Sequence, residues 1–264
     1  MSIERRNYGR GHGYRVDGQK TPGVTTIVGA TMPKDALVKW AADQTANYAV
    51  DHWAELTEEP PSKRLKRLQG ARFEDKDAAS NRGTEVHRLA ELYISGQEVD
   101  VPDELDGHVR SYEQFVSEFD VTPIHTEFLI VNRTVGYCGT VDLLADLTTS
   151  AGIERWLLDL KTSRSGIFAE TVLQLTGYRF AENYATLGED GKTYDEHPMS
   201  DLGIQRVGAV HVTGDGYKLL PIDVDGGSWE YFRHLAWLYR RQEDLPEFIG
   251  PALRPPRRPA AVAS

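Results

Sequence analysis

The stretch Trp156-Leu-Leu-Asp-Leu-Lys-Thr162 sets an acid and an amine into an otherwise apolar run. An alternation of period two puts Asp159 and Lys161 on the same face of a strand. Charged groups left unpaired among hydrophobes cost several kcal/mol or more, so the two must be paired with each other at a strand end or engaged in coordination. Asp142, in Gly139-Thr-Val-Asp-Leu-Leu-Ala145, interrupts a second apolar strand in the same way. If a hairpin-like connection sets the two strands side by side, Asp142 and Asp159 can share a hard divalent ion, leaving open positions for phosphate and water. Lys161 can then orient or deprotonate the attacking water, or stabilise charge growing on a phosphate. No serine triad or phosphate-cradling glycine loop competes for that role, and the single cysteine, Cys138, reads as a small core residue.

The elements that must position these residues follow from periodicity. The first thirty residues read as irregular or short-stranded, and a helix follows at about 34–48 with Leu37, Trp40 and Ala41 on one side. After Pro60-Pro61, residues 62–72 form a basic amphipathic helix in which Lys63, Arg64, Lys66 and Arg67 make either a solvated face or a phosphate-contacting surface. Helices are expected at 81–94, carrying His87, and at 104–119. Strands follow at 124–131, 137–146 and 155–162, joined by short turns that imply antiparallel neighbours. A helix at 168–187, strands at 204–213 and 217–222, and a helix at 228–241 with Ser228 as a possible N-cap complete the domain. The expected class is α/β, a mixed central sheet flanked by helices. Residues 1–80 would be a helical region on or capping the site, 81–245 the core, and 246–264 a disordered tail rich in Pro and Arg.

An acid, a spacer and then acid-x-lysine resembles the PD-(D/E)XK nuclease signature, with Val141-Asp142 and Asp159-Leu160-Lys161 as its halves. From about Arg82 to Tyr184 the chain looks like the RecB-like branch. Gly83-Thr-Glu-Val-His87 is similar to its Gly-x-x-x-His helix, Gly136-Tyr-Cys-Gly-Thr-Val-Asp142 to its first acidic strand, and Gln174-Leu-Thr-Gly-Tyr178 to its Gln-x-x-x-Tyr motif. The resemblance implies a restriction-endonuclease-like fold. It also implies one or two Mg²⁺ or Mn²⁺ ions held by His87, Asp142, Asp159 and the backbone carbonyl of Leu160, with Lys161, Gln174 and Tyr178 completing the active site. Glu127 occupies the strand position where that branch commonly has a glutamate, and is read either as a supporting group or as a surface charge. Glu91, one turn beyond His87, either orients the imidazole or makes an ordinary helix salt bridge. One cysteine cannot supply the four thiolates of an iron–sulfur cluster, so that cofactor is not expected.

The chain of 264 residues, 40% hydrophobic and 27% charged, falls in the ordinary globular range. No apolar run approaches the roughly 18 residues of a membrane span. The start, Met1-Ser-Ile-Glu-Arg-Arg, lacks the apolar stretch of a secretory signal, so no membrane partner is expected and a cytoplasmic setting is, which the resemblance narrows to a bacterial or phage-infected cell. A net charge of −10 argues against a broad basic surface, although a divalent ion reverses the local sign and a basic groove can coexist with an acidic remainder. DNA ends or single strands are the expected substrate, with a recombination or replication protein as a further partner. The expected activity is a metal-dependent DNA exonuclease of recombination, repair or phage DNA metabolism. The alternatives are a structure-specific endonuclease and a non-catalytic DNA-end-binding subunit.

Overall fold

The computed structural model describes residues 2–8, 11–33, 35–163, 166–188 and 193–254. The chain opens with an antiparallel meander, β1 (Ile3–Tyr8), β2 (Gly11–Val16) and β3 (Gln19–Thr21). Helix α1 (Val24–Thr31) follows, a helix not expected from its β-branched sequence. Its formation rests on burial: Val24, Ile27 and Val28, at helical spacing, lie in the main core.

Helices α2 (Asp35–Asp51) and α3 (Trp53–Glu58) lead into α4 (Pro61–Ile94), a single helix of 34 residues. The sequence reads α4 as two helices because its middle third has no apolar stripe, and the expected boundary at 80/81 falls inside it. Helix α5 (Asp106–Glu118) enters through a 3-10 turn at Asp103–Leu105 and buries Val109, Tyr112 and Phe115 on one face.

The main sheet is built on β4 (Thr122–Asn132), β5 (Tyr137–Thr149) and β6 (Gly152–Lys161), joined by the two antiparallel hairpins expected. Helix α6 (Ala169–Arg179) is shorter than its predicted span, and Asn183–Leu187 is instead a strand, β7, paired antiparallel with β4. Ala181, Tyr184 and Leu187 keep a helical spacing in the sequence, but the open backbone edge of β4 claims this segment. Strand β8 (Tyr194–Pro198) pairs with β7, and β9 (Arg206–Thr213) and β10 (Gly216–Pro221) form the other edge.

Helix α7 (Gly226–Arg241) starts two residues earlier than expected. Asp225 is its N-cap, and Ser228 is the reciprocal partner at the third helical position, with Asp225 Oδ1 accepting from the Ser228 amide at 2.8 Å and Ser228 Oγ from the Asp225 amide at 2.9 Å. Of the expected tail, Gln242–Phe248 forms a 3-10 turn, residues 249–254 are irregular, and residues 255–264 lie outside the described residues.

The result is an α/β fold with a seven-stranded mixed sheet of order β10-β9-β6-β5-β4-β7-β8, in which only β6 and β9 run parallel. Helices α1, α6 and α7 cover one face through a core that includes Phe128, Tyr137, Leu157, Leu175 and Phe232. The far half of α4 and helix α5 cover the other face around Leu89, Phe115, Leu158 and Val210. Beside them the meander packs Ile3 and Tyr14 on Leu129 and Val131, so the first residues join the core. Cys138 lies in this part of the core, fully buried, and burial raises its thiol to about 12. No helix among the described residues is long and apolar enough to cross a membrane.

Candidate metal centre

The centre forms where the sheet opens. Strands β5 and β6 pair from Thr149↔Gly152 as far as Leu143↔Leu158 and then part. Beyond that point Asp159, Leu160 and Lys161 keep their partners Ala209, Val210 and His211 on β9, while Val141 stays paired with Phe128 on β4. The fork therefore falls at Asp142 and Asp159. The Leu160 N–H faces it and donates to Asp142 Oδ2 at 2.7 Å, a side-chain oxygen standing in for a ladder carbonyl. Leu160, expected to offer its carbonyl, faces the fork with the same edge of its backbone through its amide.

Glu127 lies across from Asp142 on β4, between the pairs Thr126↔Leu143 and Phe128↔Val141 and without a ladder partner of its own. Its φ is 46°, a left-handed conformation that costs a non-glycine residue about 1–2 kcal/mol. That strain turns the carboxylate toward α4, where His87 enters. His87 Nδ1 is 3.5 Å from Asp142 Oδ2, and ligand atoms of His87, Glu127 and Asp142 all lie within 4.8 Å of one another. Two ligands of one ion, each about 2.0–2.6 Å from it, are separated by about 4–5 Å at most, so this group could hold a metal ion. A small pocket beside it is lined by Glu91, Tyr112, Leu143 and Leu160 as well as the three candidate ligands.

Asp159, expected to share the ion, has a different environment. It is 1% exposed, its Oδ1 accepts from Gln174 Nε2 at 2.6 Å, and its Oδ2 lies 2.6 Å from Lys161 Nζ. That ion contact is not aligned as a hydrogen bond, and Oδ2 has no other partner among the described residues. Lys161 also donates to Gln174 Oε1 at 2.9 Å, and Gln174 Nε2 lies 2.9 Å from Tyr178 OH. The i, i+4 pair on α6 thus acts as expected in aiming both side chains at one place, and that place is the Asp159–Lys161 pair. The ion-sized group faces α4 and the lysine network faces α6, with the amide of Leu160 between them.

Two glycines make this possible. A Cβ on Gly139 would stand 2.7 Å from the Tyr178 ring, and one on Gly83 would stand 3.1 Å from Thr162 Oγ1. The first lets Tyr178 reach the sheet and the second lets α4 approach the end of β6.

The electrostatics are those of crowded acids. Burial raises the Asp142 carboxyl, and the charge of Asp159 adds to this against the pull of His87 and Lys161. Burial also raises Glu127, reinforced by Asp142 and opposed by Arg5. Glu91 is raised by burial and then by Glu127; it is an accessory acid beside the group. Burial acts to lower Lys161, but the charges of Asp159 and Asp142 outweigh it and hold the amine cationic. Burial and the charge of Asp159 raise Tyr178, which keeps its proton. A metal ion would supply counter-charge to such a set of donors.

Sequence reasoning passed over Arg5. It reaches from β1 to place NH1 3.3 Å from Glu127 Oε2, while its buried Nε has no hydrogen-bond partner among the described residues. Nothing in the local sequence marks it, because the meander's docking on β4 brings it there. The basic helix met the opposite outcome. Arg67 is bound to Glu55, Glu59 and Tyr48, Lys63 pairs with Glu59, and Arg64 donates to the carbonyl of Glu59. Of the four expected DNA contacts, Lys63 and Arg67 are held in ion pairs, and Arg64 and Lys66 have none among the described residues. No protein-family model matches the sequence, and no curated protein matches it either.

Proposed function

We propose that this chain is a Mg²⁺- or Mn²⁺-dependent deoxyribonuclease, cutting phosphodiester bonds from DNA ends in recombination, repair or phage DNA metabolism. The observation that carries the reading is the fork between β5 and β6, which sets an ion-sized His87–Glu127–Asp142 group beside a lysine held by Asp159 and Gln174. The motifs that resemble the RecB-like nucleases meet at this fork, and they agree with the proposal in kind and in order.

His87, Glu127 and Asp142 would hold the ion. Two carboxylates suit either metal, and the imidazole favours Mn²⁺ over Mg²⁺. When bound, the ion neutralises phosphate charge and lowers the pKa of the attacking water. Lys161 donates to that water or to a phosphate oxygen on which charge develops. Asp159 keeps Lys161 charged, and Gln174, bridging Asp159, Lys161 and Tyr178, fixes the direction of the amine. Tyr178, buried, accepts from the Gln174 amide and supports its orientation.

The test is incubation of wild type and Asp159→Ala with end-labelled linear and closed circular DNA in Mg²⁺, Mn²⁺ or EDTA. Metal-dependent loss of linear DNA alone, abolished by the substitution, is the expected result. Nicking of the closed circle would replace the exonuclease by an endonuclease. Binding without cleavage would leave a non-catalytic DNA-end-binding subunit.

A further inference from the structure

Lys63, Arg67 and Arg88 on α4 are held in ion pairs, so a strand of nucleic acid needs a further cationic surface. Helix α7 supplies one. Trp229, Arg233, Trp237 and Arg240 recur at spacings of four, four and three, so they lie on one stripe of the helix, alternating aromatic ring and guanidinium. This stripe forms one wall of an open groove whose other wall is the turn between β4 and β5, at Thr134 and Val135.

The groove is built to be met by something flat and anionic. Trp237 is 59% exposed, although a tryptophan in a protein surface ordinarily covers its ring. Trp229 is stacked on Phe180 at 12° and on Phe232 at 13°, so one end of the stripe is a rigid aromatic platform. Among the described residues no carboxylate pairs with Arg240. The two acids that line the groove are engaged: Glu182 accepts from the amides of Arg133 and Thr134, and Glu230 pairs with Arg233. In a chain of net charge −10, residues 226–241 hold three arginines against one acid, Glu230.

We propose that this groove binds single-stranded nucleic acid, a base stacking on the exposed ring of Trp237, which Trp229 flanks, and a phosphate meeting Arg240. The choice of ligand rests on the nuclease reading of the centre. A proline-rich peptide also seeks exposed tryptophans, but it offers the guanidinium groups no counter-charge. Base stacking on aromatics and cationic contact with the backbone together match the alternation on α7. From the turn, the run of β5 from Tyr137 to Asp142 is five residue steps, roughly 17 Å, so the groove stands apart from the metal group and holds the strand away from the bond being cut.

The experiment measures binding of fluorescent oligodeoxythymidine in EDTA, where no cutting occurs, by wild type, Trp237→Ala, Trp237→Phe and Arg240→Ala. The expected result is affinity about tenfold or more weaker for Trp237→Ala, largely retained by Trp237→Phe. The dependence of log affinity on log salt should become shallower by about 0.7 for Arg240→Ala. Both side chains are exposed, so unchanged thermal unfolding certifies the variants. Equal affinity for all four proteins overturns the proposal. So does loss confined to Arg240→Ala, which means charge alone, or Trp237-dependent binding of a proline-rich peptide with none of oligodeoxythymidine. Asp159→Ala, run in both assays, separates the two readings. Unaltered cleavage by it removes the centre and leaves the groove; abolished cleavage with Trp237-independent binding removes the groove alone.

Discussion

Glu127→Gln tests whether the ion belongs to His87, Glu127 and Asp142 or to the Asp142–Asp159 pair that the sequence suggests. The substitution keeps the shape of the side chain and removes its charge. Ligand atoms of the three residues lie within 4.8 Å of one another, and the side chains of Glu127, His87 and Asp142 are 27%, 31% and 20% exposed, so the pairing of ion and carboxylate is partly shielded from water. Losing one partner of a well-buried charge pair costs about 3–5 kcal/mol, and the exposure here argues for the lower end, about 3 kcal/mol or some 150-fold in affinity. Asp159→Asn removes a carboxylate whose oxygens are turned to Lys161 and Gln174, and its effect on metal affinity should stay below about tenfold, the lower end of what groups beyond the ligand shell contribute. Titration calorimetry of metal-free protein with Mn²⁺ measures both. A Glu127→Gln protein that binds as wild type, beside an Asp159→Asn protein that does not, would refute the assignment of the ligands.

The pH dependence of the metal-free protein follows from the same crowding. Glu127, Glu91 and Asp142 have carboxyls raised above their ordinary values. Between those ordinary values and the raised ones the folded chain binds more protons than the unfolded, so the contribution of these acids to stability falls as pH rises through that window. A divalent ion favours the deprotonated forms. The gain in melting temperature from Mn²⁺ over EDTA should therefore grow from about pH 5 to about pH 7.5, and a gain independent of pH would contradict this. Gly139→Ala puts a methyl group 2.7 Å from the Tyr178 ring and should destabilise by about 1–3 kcal/mol in urea unfolding, with a weakened Gln174 contact visible as lost cleavage. Cys138, fully buried with its thiol raised by burial, should resist a thiol reagent in the native state and react at the rate of unfolding. Fast modification of the folded protein would show that this part of the core opens.

How much was legible in the sequence depended on the range over which the signal acts. Alternation in Trp156–Thr162 and in Gly139–Ala145 marks both strands and their charged residues, because strand period and burial cost are properties of a few consecutive residues. The i, i+4 spacing of Gln174 and Tyr178, the helical face of His87, the two hairpins and the mixed α/β class come from the same local rules. By contrast, the strand at Asn183–Leu187 and helix α1 answer to partners far away, the bare edge of β4 and the core under α7, and their local patterns point elsewhere. The basic run on α4 has the composition of a DNA contact, yet Glu55 on α3 and Glu59 just beyond it pair with Arg67 and Lys63.

The centre divides along the same line. The sequence by itself determines which residues carry chemistry, since acids, a lysine and an imidazole set among apolar neighbours need partners wherever they fold. Which of them meet is decided only by the tertiary structure. Asp142 and Asp159 lie at the parting of two strands, Glu127 is turned toward His87 by a left-handed backbone, and Arg5 arrives 122 residues away from Glu127 in sequence. Strand register, a fork in the sheet and the docking of one sheet on another are set by summed packing over the whole chain, and no short segment records them.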